Sequence, residues 1–234
     1  MSDRHYPKFC PVAMAASVLE PRWTMLVLCE MWSGSTRFNE IQRGVPGMSP
    51  GLLSKRLKEM EASGLVTRRT TGRGGHAEYL TSALADELEP LIHGLGEWAH
   101  RNVDSEVSLQ DLDASILMWN IRGKIDLLQL PKRKCVIQFI LSDPPNEKTN
   151  YWLVAKPGEE IDLCYMDPKF EVDLYVVCEL RTLTSAWMGH SAFEEAIEAG
   201  RISLIGNDLM ARTLTKWLVR SSFADVKIIA GKGQ

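Results

Sequence analysis

The chain has 234 residues, 45% of them hydrophobic and 24% charged, with a formal net charge of -3. That length and apolar content can bury a core and suit two modest domains better than one, and the overall charge excludes a uniformly basic nucleic-acid-binding coat. Apolar runs such as residues 25–29 fall far short of the ~20 residues a spanning helix needs, and nothing resembles a signal peptide, so a soluble cytoplasmic protein without membrane contact is expected.

In chain order, residues 11–19 have the composition of a short helix, Pro21 interrupts it, and residues 22–32 form a second helix, apolar nearly all round and therefore expected in a core. Thr36 can cap a third helix containing Phe38 and Ile41, and a turn from Gly44 to Gly47 leads into the next. That helix begins with Ser49 as cap and Pro50 in the first turn, where no N–H is needed, and Gly64 marks its end. Leu53, Leu57 and Met60 recur at i, i+4 and i+7 and make an inward stripe, while Gly51, Ser54, Lys55 and Lys58 project from the other side. Two helices joined by a tight turn, the second exposed and basic, make a helix-turn-helix.

Residues 65–71 and 78–80 then read as two strands, separated by Gly72, Gly74 and Gly75 around Arg73. Between positions 49 and 73 six basic residues (Lys55, Arg56, Lys58, Arg68, Arg69, Arg73) stand against Glu59 and Glu61. In an acidic chain this concentrates phosphate attraction on one segment. Past the hairpin, Leu84, Leu88, Leu91, Ile92, Leu95 and Trp98 repeat at helical spacing over a span too long for so small a domain to cover, so a partner helix in an isologous dimer is expected.

The polar stretch 102–110 suggests a boundary near Asp104, giving domains 1–104 and 105–234. Helical patterning resumes over residues 109–128, and four strand-like runs follow at 134–141, 151–156, 161–165 and 172–179, read as an antiparallel meander. Helices at 180–188 and 191–199, a strand at 201–205 and a helix at 208–219 complete an α+β domain.

The five cysteines are scattered without a close pair, so neither a structural metal nor a redox dithiol is expected. Cys29, Cys135 and Cys178 lie in apolar runs and read as inert core residues; Cys10, near the terminus beside Pro11, is either a reactive thiol or a partly packed residue at the helix start. Asp162, Asp167, Asp173, His190 and Asp208 form no Ser/His/Asp order, phosphate loop or metal-ligand spacing, so no enzyme and no cofactor are expected, and His190 is assigned to a cap or surface turn.

The segment CPVAMAASVLEPRWTMLVLCEMWSGSTRFNEIQRGVPGMSPGLLSKRLKEMEASGLVTR resembles the winged helix-turn-helix domain of the HxlR family of bacterial transcription regulators, over about residues 10–102. The resemblance rests on Cys10-Pro11-Val12, Arg22-Trp23-Thr24, Arg37-Phe38 with Glu40-Ile41, Ser49-Pro50, Leu52-Leu53-Ser54 and residues 61–66, EASGLV. It implies a homodimer on a palindromic double-stranded DNA site, with the Ser49 helix in the major groove and the wing near phosphate. Arg37, Ser49, Pro50, Ser54, Lys55, Arg56, Lys58, Arg68, Arg69 and Arg73 are then the candidate DNA-contacting residues. Cys10 matches a position that some relatives use to sense oxidants or electrophiles, and Gly51 stands where relatives often carry a longer polar side chain.

The segment LRTLTSAWMGHSAFEEAIEAGRISLIGNDLMARTLTKWL is similar to the end of the sterol carrier protein type 2-like domain, loosely over residues 112–223. That resemblance implies a tunnel for an apolar, lipid-like effector between sheet and helices, with Phe139, Trp152, Tyr175, Trp187, Phe193 and Trp217 as candidate lining. An aromatic residue at strand or helix spacing is equally the ordinary content of a core.

Overall fold

The computed structural model describes residues 9–71, 76–104, 106, 109–143 and 149–229. The chain divides into two compact units, Met1–Leu95 and Gly96–Gln234.

The first unit begins with α1 (Pro11–Leu19), α2 (Thr24–Trp32), α3 (Phe38–Gly44) and α4 (Pro50–Ala62). A two-stranded wing, β1 (Val66–Thr71) and β2 (His76–Thr81), a short α5 (Ala83–Asp86) and α6 (Glu89–Asn102) follow. The division between the units falls inside α6. Val27, Leu28, Ile41, Met48, Leu53, Leu57 and Met60 close one core between α2, α3 and α4. Three expectations change here. Thr36 does not cap α3 with its side chain; the Glu40 carboxylate reaches back and accepts from the backbone N–H groups of Thr36 (3.1 Å) and Arg37 (2.9 Å). The second helix is not buried all round, because Met25, Leu26 and Cys29 are exposed. The long stripe after the wing is also divided: Ile92 is buried in the core while Leu91, Leu95 and Trp98 stand exposed.

Among the described residues no single helix is long and apolar enough to cross a membrane. The apolar pair α1 and α2 is bent by 75° at its break, and α2 commits Val27, Leu28 and Met31 to the core.

The second unit contains α7 (Ala114–Gly123), a 3-10 turn at Leu127–Gln129, and a five-stranded sheet. Its strands are β3 (Cys135–Leu141), β4 (Asn150–Ala155), β5 (Asp162–Cys164), β6 (Leu174–Cys178) and β7 (Ile202–Gly206), in the order β5-β4-β3-β6-β7. The meander covers only β3 to β5. The chain then crosses to the far side of β3, where β6 pairs parallel to it, Ile137 opposite Leu174 through Leu141 opposite Cys178. The sheet is therefore mixed, with its other pairings antiparallel. The crossover is compatible with the sequence because parallel partners need a connection of roughly a dozen or more residues, and residues 142–173 between β3 and β6 supply one.

Four helices follow the central strands: α8 (Leu180–Met188), α9 (Phe193–Glu198), α10 (Asp208–Arg212) and α11 (Leu214–Trp217). Side chains alternate across each strand. Ile137, Phe139, Tyr151, Leu153, Leu174 and Val176 join the main core with Met118, Leu183, Phe193 and Trp217. Val136, Trp152 and Val154 form a separate small cluster. The last residues of α6 belong to this unit. The Arg101 carbonyl accepts from the Ile229 N–H at 2.8 Å, and a Cβ at Gly96 would stand 2.6 Å from the Phe223 ring.

Gly189 ends α8 in the left-handed region at φ +82, where a Cβ would sit 2.2 Å from the Ala224 carbonyl oxygen. Gly189→Ala is therefore expected to destabilise the protein by about 1–3 kcal/mol, read as a lower urea midpoint for the unit that contains it. An unchanged midpoint would show that this packing is not formed.

Candidate nucleic-acid interface

The geometry of α4 begins with its cap. The Ser49 hydroxyl accepts from the Leu52 N–H at 3.3 Å, Pro50 occupies the first turn, and the helix ends at Ser63, whose N–H reaches the Glu59 carbonyl, before Gly64 at φ +77. Leu53 and Leu57 are fully buried and Met60 nearly so. Burying three such side chains contributes roughly 1.5–3 kcal/mol each, and it fixes which way the opposite face looks. Gly51, Lys55 and Lys58, spaced i, i+4 and i+7 on that face, are exposed, with Ser54 half-buried on its flank.

Charge on the face is available in different degrees. The Lys55 ammonium stands 3.9 Å from a Glu59 carboxylate oxygen with its side chain 72% exposed, a loose surface pair that solvent screens and a phosphate can replace. Arg56 does not share this face. Its side chain is 12% exposed, and Nη1 donates to Glu59 at 2.5 Å. It lines a cavity of about 430 Å³ with Ser17, Val18, Pro21 and Thr24. A one-residue step from Lys55 turns the side chain by about 100° around the helix, which is why a run of three basic residues in four positions does not make one surface.

The turn before α4 is braced by residues that sequence reasoning passed over. The Gln42 side chain donates to the Met48 carbonyl at 2.5 Å. Trp23, at φ 84, lies so close to Gly47 that a Cβ there would come within 2.9 Å of its ring. Gly47 was the available signal, since a glycine in a helix-turn-helix turn invites close approach.

Beyond α4 the chain enters the wing. In the register of its two strands Arg68 faces Tyr79 and Arg69 faces Glu78, so the two arginines project to opposite sides of the ribbon. The stretch leading into α3 is stitched to the same ribbon: Thr36 O accepts from the Tyr79 N–H at 2.8 Å, and the Arg37 backbone pairs antiparallel with that of Glu78. Arg37, 68% exposed, thereby lies in one row with Glu78 and Arg69. Arg73 lies outside the described residues.

The other candidate residues do not join this surface. Cys10 is half-exposed immediately before α1, Cys29 is exposed rather than in the core, and Cys135 and Cys178 are buried. Burial raises the Cys135 thiol, and burial with nearby Asp143 and Glu179 pushes Cys178 up to about 12. The six aromatic candidates split between the sheet faces. Phe139, Trp187, Phe193 and Trp217 meet in the main core, with the indole N–H groups of Trp187 and Trp217 donating to Val219 O and Met210 O. Trp152 packs in the other cluster, and Tyr175, in register with Gln138 as Trp152 is, shares its side of the sheet.

The acidic residues considered for catalysis do not converge. Asp167 pairs with Lys169, and Asp173 with Arg133 and the Val136 N–H. Among the described residues no group of three His, Cys, Asp or Glu is placed to hold a metal ion. His190 lies half-buried in the bend that follows α8 and stacks on His100 with centroids 5.0 Å apart, and burial lowers both imidazoles, His190 also through His100.

Comparison with known proteins places the similarity on this part of the chain. The model of the HxlR-like helix-turn-helix family matches residues 18–107. An HTH-type transcriptional regulator of Methanothermobacter thermautotrophicus is 32% identical over 99 residues, covering 42% of this chain and 74% of that protein. The HTH-type transcriptional regulator YvaP of Bacillus subtilis is 32% identical over 99 residues, covering 42% of this chain and 92% of YvaP. Among solved structures, the redox regulator HypR in its reduced form is 30% identical, covering 42% of this chain and 99% of HypR, with a TM-score of 0.39.

On duplex DNA, Lys55→Ala and Lys58→Ala are each expected to weaken binding and to reduce the slope of log affinity against log salt by about one unit. Slopes unchanged in both variants would remove these lysines from any phosphate contact.

Proposed function

This chain belongs to the HxlR-like helix-turn-helix family of transcriptional regulators, and from that premise we propose that it is a cytoplasmic homodimer that binds a palindromic operator and responds to an apolar small molecule. The observation that carries the DNA-contacting part is the outward face of α4, cationic at Lys55 and Lys58 and capped at Ser49, opposite a fully buried stripe. In this assignment Ser49, Pro50, Ser54, Lys55 and Lys58 enter the major groove, Arg37 and the wing arginines Arg68, Arg69 and Arg73 meet phosphate, and Arg56 supports the helix from behind.

Dimerisation is supported by exposed apolar side chains on α1 and on α6. None of α1 is buried, Val12 and Met14 are exposed, and Leu91, Leu95 and Trp98 occupy i, i+4 and i+7 of α6 with Trp98 61% exposed. A contiguous apolar face of this kind on a helix marks an association surface. Residues 1–104 are then the DNA-binding and dimerising domain and residues 105–234 the effector domain, related to sterol carrier protein type 2-like folds. The four aromatics that share the main core, Phe139, Trp187, Phe193 and Trp217, are the more coherent wall for an apolar ligand, since Trp152 and Tyr175 look the other way. An effector acts only if it binds the DNA-competent and incompetent states unequally.

A second reading makes residues 105–234 purely architectural and Cys10 a thiol or electrophile sensor. It is favoured by position: Cys10 is half-exposed at the start of an exposed apolar helix, whereas Cys135 and Cys178 are shut in the core of the other unit.

One titration separates the readings. Operator affinity of the full chain, and of Cys10→Ser, is measured with fatty acid and phospholipid mixtures and, separately, with diamide. A lipid-dependent change of tenfold or so in both proteins supports the effector domain, and a diamide response lost in Cys10→Ser supports the thiol; no response to either ends both. For the dimer, Trp98→Asp is expected to give a monomer by sedimentation and to lose operator binding. A Trp98→Asp protein that remains dimeric would overturn the α6 interface.

A further inference from the structure

The outward face of α4 begins, in the first turn of the helix, with a residue that has no side chain. Gly51 sits one and two turns before Lys55 and Lys58 and is exposed. It is not among the residues with positive φ, and a Cβ built on it meets no atom within 4 Å. The fold therefore gives no steric reason for glycine here, unlike Gly47 under Trp23. Even in a first turn, glycine with a helical backbone gives up more conformational freedom on folding than alanine would. Gly94 in α6 is open in the same way, so it is the position of Gly51 on the cationic face with Lys55 and Lys58 that makes the open room a place for a group outside the chain.

We propose that Gly51 is a specificity-determining position at which the α4 backbone seats against a base edge, the volume of the absent Cβ being taken by the 5-methyl group of a thymine. The inference rests on the assignment of α4 to the major groove. In that groove the thymine methyl is the apolar group that the base pairs present, and the remaining features are hydrogen-bond donors and acceptors. Gly51 offers them no side-chain partner, only Cα–H and open room. Lys55 and Lys58 on the same face supply charge for phosphates, and Ser54 on the flank supplies a hydroxyl for a neighbouring edge. A Cβ at position 51 and a methyl at that base pair exclude one another, so Gly51→Ala and replacement of that thymine by deoxyuridine are reciprocal changes.

The test uses the full chain and an operator obtained by selection from random duplex DNA, with each thymine replaced in turn by deoxyuridine. Gly51→Ala is expected to raise the thermal midpoint by roughly 1–3 °C, to weaken binding to the selected operator by about tenfold, and to leave the salt slope unchanged. At one thymine in each half-site, deoxyuridine is expected to restore the Gly51→Ala protein to within about threefold of the wild-type complex while weakening the wild type. Lys55→Ala is the control for the premise. If it neither weakens binding nor lowers the salt slope, the placement of α4 on DNA falls. If Lys55→Ala behaves as expected but Gly51→Ala binds as tightly as wild type, or loses affinity that no deoxyuridine position restores, the thymine assignment at Gly51 is overturned.

Discussion

Burial of Leu53, Leu57 and Met60 is the constraint on which the DNA-facing surface depends. Those three side chains tie α4 to the core made by α2 and α3, and only because they are held does the opposite face have a direction. Ser49, Gln42 and the Trp23–Gly47 contact set where the helix starts, and Glu40 holds the start of α3 through two backbone N–H groups. Without that bracing a helix of this length would be marginal in water, and its lysines would present no fixed pattern to a groove.

The charge of the interface is smaller and better placed than composition suggests. Of the three basic residues between positions 55 and 58, Arg56 is withdrawn by Glu59 into the space behind α4, while Lys55 and Lys58 remain on the outward face. On the wing, Arg68 and Arg69 divide between two sides of the ribbon. Each local cation therefore has its own geometric task, and the chain's net charge of -3 keeps attraction to polyanions confined to where these residues lie.

In the second unit the alternation of strand side chains is the organising fact. It gives β3 and β4 one face for the main core and another for the cluster of Val136, Trp152 and Val154. The parallel pairing of β3 with β6 places Phe139 beside Val176, so an aromatic and a β-branched residue meet inside the core. The same alternation separates aromatic residues that a linear view groups together. The last turns of α6 are fastened within this unit through Arg101 and Gly96.

Much of the first unit was legible in the sequence because its signals are local: a Ser-Pro cap, a stripe at i, i+4 and i+7, and a glycine-marked hairpin. The α+β character of the second unit was legible for the same reason, from a change of period. Strand order was not, since β6 crossing to pair parallel with β3 depends on contacts distant in sequence, and a run of β-branched residues looks alike in either direction. Nor was the fate of individual side chains: Arg56 turning inward to Glu59, Cys29 facing out of an apolar helix, His190 stacking on His100, and Trp152 leaving the aromatic group. By itself the sequence determined which elements form and which face of α4 is cationic, because helix and strand periodicity are properties of neighbouring residues. Only the tertiary structure decided which of those charges remain free, which aromatics share a core, and that Gly51 has open space before it, because these depend on what the folded chain brings alongside.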